Sequence, residues 1–220
     1  MQDIAVIFDL DGTLVDTAPD LHDALNHTLA RAGRDTMDIE HVQGLIGHGA
    51  RALLQKGLTA TGGMPENERF EELVAIFFAY YKEHLSDNSK PFDGVVDALE
   101  ALRAEGAKLG VCTNKSIGFA EPLLNELDLT RHFTVITGGD SFSVKKPDAG
   151  HITGTLDLMG HNGGRAFMIG DSINDIMAAR NAGIPSVAVT FGYTETPVQE
   201  LGPDHIIDHF NELVPLIKSL

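Results

Sequence analysis

Five short runs of consecutive apolar residues punctuate the chain: Ile4 to Phe8, Leu109 to Thr113, Phe133 to Thr137, Ala166 to Ile169 and Ser186 to Thr190. Being continuous rather than alternating, they read as strands buried on both faces. Helical periodicity fills the gaps. Phe92-Asp93-Gly94 leads into a helix ending at Gly106, and others follow at Ile117 to Leu127, about Ala149 to Met159, and Ile173 to Ala182 with Gly183 behind it. Strand alternating with helix predicts parallel βαβ units, an α/β, Rossmann-like, doubly wound sheet.

The alternation fails from Thr17 to about Ser86, where only helical patterns occur. Thr17 to Asp20 reads as a capping box, followed by Leu21, Leu25 and Leu29 at four-residue spacing, with Gly33 ending the helix. A second helix starts near Gly49, and a long one covers roughly Glu66 to Leu85. The expected organisation is a discontinuous core, 1–16 with 86–220, interrupted after its first strand by a small helical domain at 17–85. The two crossings, near Asp16 and Asp87, would act as hinges.

Composition narrows the class. Of 220 residues, 43% are hydrophobic, enough for a substantial core, and there is no long low-complexity segment. No apolar run approaches a membrane span, the N-terminus lacks a secretion signal, and a lone Cys112 rules out an internal disulfide framework. A cytoplasmic protein, monomer or homodimer, is expected. The formal net charge of −16 argues against nucleic acid. It also means that an anionic substrate needs local cations or a metal.

Ligands of open parallel sheets bind beyond the C-terminal strand ends. There the sequence places Asp9 and Asp11, then Thr113 and Asn114, then Lys146 in a loop, then Asp171. Four of the five strands thus deliver a polar group to one edge. Three carboxylates gathered in a partly dry pocket require a proton or a divalent cation. Oxygen donors without nearby His or Cys favour Mg2+ over zinc. Thr113, Asn114 and Lys146 are donors suited to phosphate oxygens, and the set describes phosphoryl transfer.

Asp-Leu-Asp-Gly-Thr-Leu at Asp9–Leu14, strand-terminal Thr113, Lys146-Pro147 and Gly-Asp-Ser-Ile-Asn-Asp at Gly170–Asp175 resemble the four motifs of the haloacid dehalogenase-like superfamily, in order and over nearly the whole chain. The helical insert resembles that superfamily's smaller cap. The resemblance implies Asp9 as nucleophile forming an aspartyl-phosphate, and Asp11 as general acid and then base. It implies Mg2+ on the side chains of Asp9 and Asp171 and the backbone carbonyl of Asp11, with Asp175 supporting the ligands. Thr113 and Asn114 would bind the phosphoryl group, Lys146 would neutralise charge, Gly12 would allow close approach and Thr13 would brace the loop. Lys145 competes with Lys146 for that role, and Ala149 stands where the family has a second proline. An acid at Asp11 argues for phosphate rather than halide chemistry.

Gly44 to Leu54 resembles the cap of bacterial phosphoglycolate phosphatases, so a small anionic phosphate ester, 2-phosphoglycolate foremost, is the expected substrate. His48, Gly49 and Arg51 are the candidate contacts for its carboxylate end. Alternatives are a β-phosphoglucomutase-like enzyme, a phosphonoacetaldehyde hydrolase-like enzyme using Lys56 as a Schiff base, and a non-enzymatic phospho-accepting receiver module. Asp16, Asp20 and Asp23 read as hinge or helix-surface residues. Leu14 at the sixth position excludes an EF-hand loop, and no Walker phosphate loop occurs.

Overall fold

A computed structural model describes residues 3–194 and 196–220. In chain order, β1 (Ile4–Phe8) is followed by β2 (Val15–Asp16), then by α1 (Ala18–Arg31), α2 (Ile39–Gln43), α3 (Ala50–Ala60) and α4 (Asn67–Glu83). After β3 (Lys90–Pro91) come α5 (Val95–Ala104), β4 (Lys108–Cys112), α6 (Ile117–Glu126), β5 (Val135–Thr137) and α7 (Ala149–Leu158). The chain continues through β6 (Arg165–Gly170), α8 (Ile173–Ala182), β7 (Ser186–Val189), β8 (His205–Ile207) and α9 (Leu213–Ser219).

Among the described residues, one parallel sheet of six strands runs in the order β5-β4-β1-β6-β7-β8. The first strand lies centrally, and the order reverses on either side of it. The expected α/β doubly wound class is therefore the one observed, with its topological switch point beside β1. The continuous apolar run of β1 has a direct cause. Ile4, Val6 and Phe8 enter a core shared with α5, α6 and α9, whereas Ala5 and Ile7 enter a second core against α7 and α8. Phe8 is fully buried between the rings of Phe133 and Phe210, at centroid distances of 6.3 and 6.4 Å. Truncating such a side chain to alanine costs about 3–5 kcal/mol.

The short elements escaped the apolar pattern. Strand β8 is three residues at the sheet edge, and β2 pairs antiparallel with β3 through only Val15↔Pro91 and Asp16↔Lys90. That ribbon joins the two segments leading into and out of α1–α4. Helices α2 and α9 were likewise not anticipated.

The capping-box reading of Thr17 to Asp20 is corrected. Thr17 makes no side-chain cap; its hydroxyl donates to Asp11 Oδ1 at 2.8 Å. Asp20 is buried rather than on a helix surface. It accepts from the backbone N–H groups of Asn88 and Ser89, at 3.0 and 2.8 Å, and from the Ser89 hydroxyl at 2.6 Å. It thereby ties the start of α1 to the returning segment. Asp23 is exposed, beside His22.

Candidate active site

Each strand around the switch point delivers a polar group to the same edge. Asp9 follows β1 and is buried; its Oδ1 accepts from the Leu10 N–H at 2.7 Å and lies 2.9 Å from Lys146 Nζ. Asp171 follows β6. Its Oδ2 accepts from the Tyr193 N–H at 2.7 Å and its Oδ1 from the Thr13 hydroxyl at 3.3 Å. Asp175 sits in the first turn of α8, in a reciprocal capping box with Ser172, whose N–H and hydroxyl donate to Oδ2 at 3.0 and 2.6 Å. Its Oδ1 accepts from Lys146 Nζ at 2.5 Å.

Oxygens of Asp9, Asp171 and Asp175 all lie within 4.8 Å of one another, and all three residues are buried. Burial raises the Asp9 pKa to about 7, with Asp175 adding to the rise and Lys146 opposing it. Burial, then Asp175 and Asp9, push Asp171 well above the ordinary carboxylate range. Burial alone would lower the Lys146 pKa, but Asp175 and Asp9 hold it above normal. Three carboxylates against one ammonium leave two negative charges when all are ionised. An all-oxygen set with that surplus fits a hard divalent cation.

Asp11 stands apart from this cluster. Its carboxylate pairs with Lys115 Nζ at 2.9 Å and accepts from Thr17. Each aspartate of the Asp-Leu-Asp motif therefore has its own buried lysine. Lys115 was missed in the sequence, where it looks like a solvated lysine after Thr113-Asn114. Its ammonium also donates to the Tyr81 hydroxyl of α4 at 2.6 Å and lies 4.8 Å from that ring's centroid. Tyr193 was missed too: the β7 end was expected to contribute nothing. Its backbone serves Asp171, while its hydroxyl donates to Asp16 at 2.5 Å and accepts from the Ala18 N–H at 3.0 Å.

The remaining expected residues divide. Thr113 is buried; its N–H donates to the Thr137 carbonyl at 3.1 Å and its hydroxyl accepts from the Lys115 N–H at 3.2 Å. Asn114 Nδ2 reaches the carbonyls of Gly47 and Lys146, at 3.2 and 3.1 Å. Asn174 Nδ2 also reaches Gly47, at 3.2 Å, so the loop before α3 is docked onto the strand ends. Gly12, at φ +81°, packs against Asp171: a Cβ there would come within 3.0 Å of that carboxyl carbon and 2.9 Å of the Tyr193 ring. Lys146 is buried whereas Lys145 is exposed, reaching the His48 carbonyl at 3.3 Å, so the two lysines are distinguished. His48 lines a cavity with Asp11, Lys56, Asp171, Asn174 and Tyr193. Gly49, at φ +91°, begins α3, where a Cβ would lie 3.2 Å from the Asn114 carbonyl oxygen. Arg51 is not brought to the acidic cluster. It is exposed, pairs with Glu71 and lies 4.8 Å over the Phe70 ring.

A doubly wound sheet with a buried carboxylate cluster and paired lysines at its switch point presents a site that could hold a metal ion beside a phosphoryl group. The model of the haloacid dehalogenase-like hydrolases matches residues 6–189, and the chain belongs to that family. It is 46% identical to a phosphoglycolate phosphatase of Agrobacterium fabrum over 211 residues, 96% of this chain and 91% of that one. A phosphoglycolate phosphatase of Caulobacter vibrioides is 45% identical, covering 93% and 86%. A crystal structure of a predicted phosphoglycolate phosphatase from Haemophilus somnus superposes with a TM-score of 0.93 at 31% identity, covering 99% of both chains. Among the described residues, no helix is long and apolar enough to cross a membrane.

Proposed function

We propose that the chain is a Mg2+-dependent phosphatase of a small phosphorylated acid, 2-phosphoglycolate to glycolate and phosphate, acting in the cytoplasm. The observation that carries the chemistry is the buried Asp9–Lys146–Asp175–Asp171 constellation with Asp11 beside it. The substrate rests on the likeness to the Agrobacterium and Caulobacter phosphatases.

In this reading Asp9 and Asp171, with the Asp11 backbone carbonyl, hold Mg2+. The bound cation supplies charge neutralisation for the carboxylates and the transferring phosphoryl group. Lys146 keeps Asp9 oriented through Oδ1 and screens the incoming phosphate. An Asp9 oxygen attacks phosphorus, the ester bond to the leaving oxygen breaks, and an aspartyl-phosphate forms. Asp11 gives its proton to the departing alkoxide. It then takes a proton from a water that attacks phosphorus, which releases phosphate and regenerates Asp9. Thr113 and Asn114, at the end of β4, bind the phosphoryl oxygens. Asp175 positions Lys146, and Thr13 with Tyr193 positions Asp171. Helices α1–α4 act as a cap domain hinged at the β2–β3 ribbon.

A panel of phosphate esters assayed with Mg2+ tests the function. The expected result is that 2-phosphoglycolate has the highest kcat/KM and that Asp9→Asn abolishes turnover. Wild-type activity in that variant would remove the mechanism, and a sugar phosphate preferred over the acid would remove the substrate.

A further inference from the structure

Resting on the phosphatase reading above, we propose that Lys115 binds the carboxylate of the substrate's leaving group and so selects for phosphate esters of short hydroxy acids. Of the other cations near the edge, Lys56 lines the neighbouring cavity with Asp11 and Asp171 and is half-buried, whereas three more are committed elsewhere. Lys146 serves Asp9 and Asp175, Arg51 faces Glu71, and Lys145 is exposed against a backbone carbonyl. Lys115 is 5% exposed, and among the described residues its acidic partner is Asp11 alone. An ammonium carries three hydrogens. One meets Asp11 at 2.9 Å and one meets the Tyr81 hydroxyl at 2.6 Å. Among the described residues no further acceptor lies on Nζ, which leaves the third for a substrate oxygen. Tyr81 restrains the ammonium without cancelling its charge, because burial pushes the phenol up to about 12.

The placement matches the chemistry of one substrate class. Asp11, as proton donor, must stand beside the ester oxygen that leaves. Lys115 touches that same carboxylate. A carboxylate borne by the ester carbon itself therefore arrives where the ammonium is. Lys115 and Asp11 together line a small cavity under the start of α3, walled by Leu21, Ile46, Gly49 and Leu53. Those walls are apolar or glycine, so the lysine is the wall's cation. In a chain of net charge −16, a desolvated cation at this point offsets the general repulsion of a substrate carrying both phosphate and carboxylate.

The test compares 2-phosphoglycolate with ethyl phosphate, which replaces the carboxylate by a methyl group. Lys115→Met should lower kcat/KM for 2-phosphoglycolate about 30-fold more than for ethyl phosphate, as loss of a charge-assisted hydrogen bond implies. Much of the difference should lie in KM, and Lys115→Arg should restore part of it. A discrimination ratio within about threefold of wild type would overturn the assignment, as would its loss in Lys56→Met instead. A wild-type enzyme that does not prefer 2-phosphoglycolate would fail the parent reading, a separate outcome. Should Lys115→Met not fold, a crystal structure of Asp9→Asn with 2-phosphoglycolate decides. A carboxylate oxygen within hydrogen-bond distance of Lys115 Nζ supports the assignment, and a carboxylate held by other groups overturns it.

Discussion

Without a cation, the acidic cluster should make the folded protein lose stability as pH rises toward neutrality, and Mg2+ should remove that loss. The folded Asp9 pKa is raised from the ordinary 3.8 to about 7 by burial and by Asp175. The folded state therefore keeps a proton that the unfolded chain has already released. Where the native state binds more protons, stability falls with increasing pH, here across the window from about 4 to about 7. Each pKa unit corresponds to about 1.4 kcal/mol. Roughly two units lie between about pH 5 and about pH 7, and the group is half titrated at the upper end, so Asp9 alone accounts for about 2 kcal/mol there. Asp171, also shifted upward, acts in the same direction. The assay is equilibrium urea unfolding in chelator at the two pH values, for wild type and for Asp9→Asn. The difference between the two proteins should grow by about 2 kcal/mol at the lower pH in favour of wild type. Saturating Mg2+, binding the ionised carboxylates, should flatten the wild-type dependence. Parallel pH dependences for wild type and Asp9→Asn in chelator would refute the electrostatic reasoning.

Three further perturbations follow from single contacts. Cys112 is buried and its thiol is pushed up to about 12 by burial, so it should resist iodoacetamide at neutral pH in the folded protein and react on unfolding in urea. Asp20→Ala strands the N–H groups of Asn88 and Ser89, and should cost at least about 2 kcal/mol by urea denaturation; a change below about 0.5 kcal/mol would mean that these groups find water instead. Gly192→Ala places a Cβ about where the Asp171 carboxylate lies, 2.6 Å from its carboxyl carbon. It should weaken Mg2+ binding, measured by calorimetry, at least about tenfold.

How much of this was legible in the sequence depended on the range of the interactions. Strand β1 and the Asp9–Thr13 motif announce themselves because a doubly buried strand must be apolar throughout and must end abruptly in its polar loop. Asp171 and Asp175 announce themselves because one helical turn separates them on a short motif. Lys115 does not. Its burial is imposed by Tyr81, 34 positions away, and by Asp11, 104 positions away. The local signal that could have found it is the polar run Thr113-Asn114-Lys115 at a strand end. Tyr193 was invisible for a different reason: it serves Asp171 through a backbone N–H, which no residue type encodes. Asp20 was misread because a cap and a tether between segments 68 positions apart use the same residue at a helix start. Arg51 is expected at the substrate from its place two residues after Gly49; its guanidinium meets Glu71, and it lines a cavity with His48, Asn114 and Lys115.

The most direct measurement is a rapid acid quench of a single turnover of 2-phosphoglycolate with Mg2+, followed by peptide mass spectrometry. The account predicts a transient phosphoryl group on the peptide containing Asp9, absent in Asp9→Asn. Product formed in the burst with that peptide unmodified, or with the phosphoryl group on another residue, would contradict it.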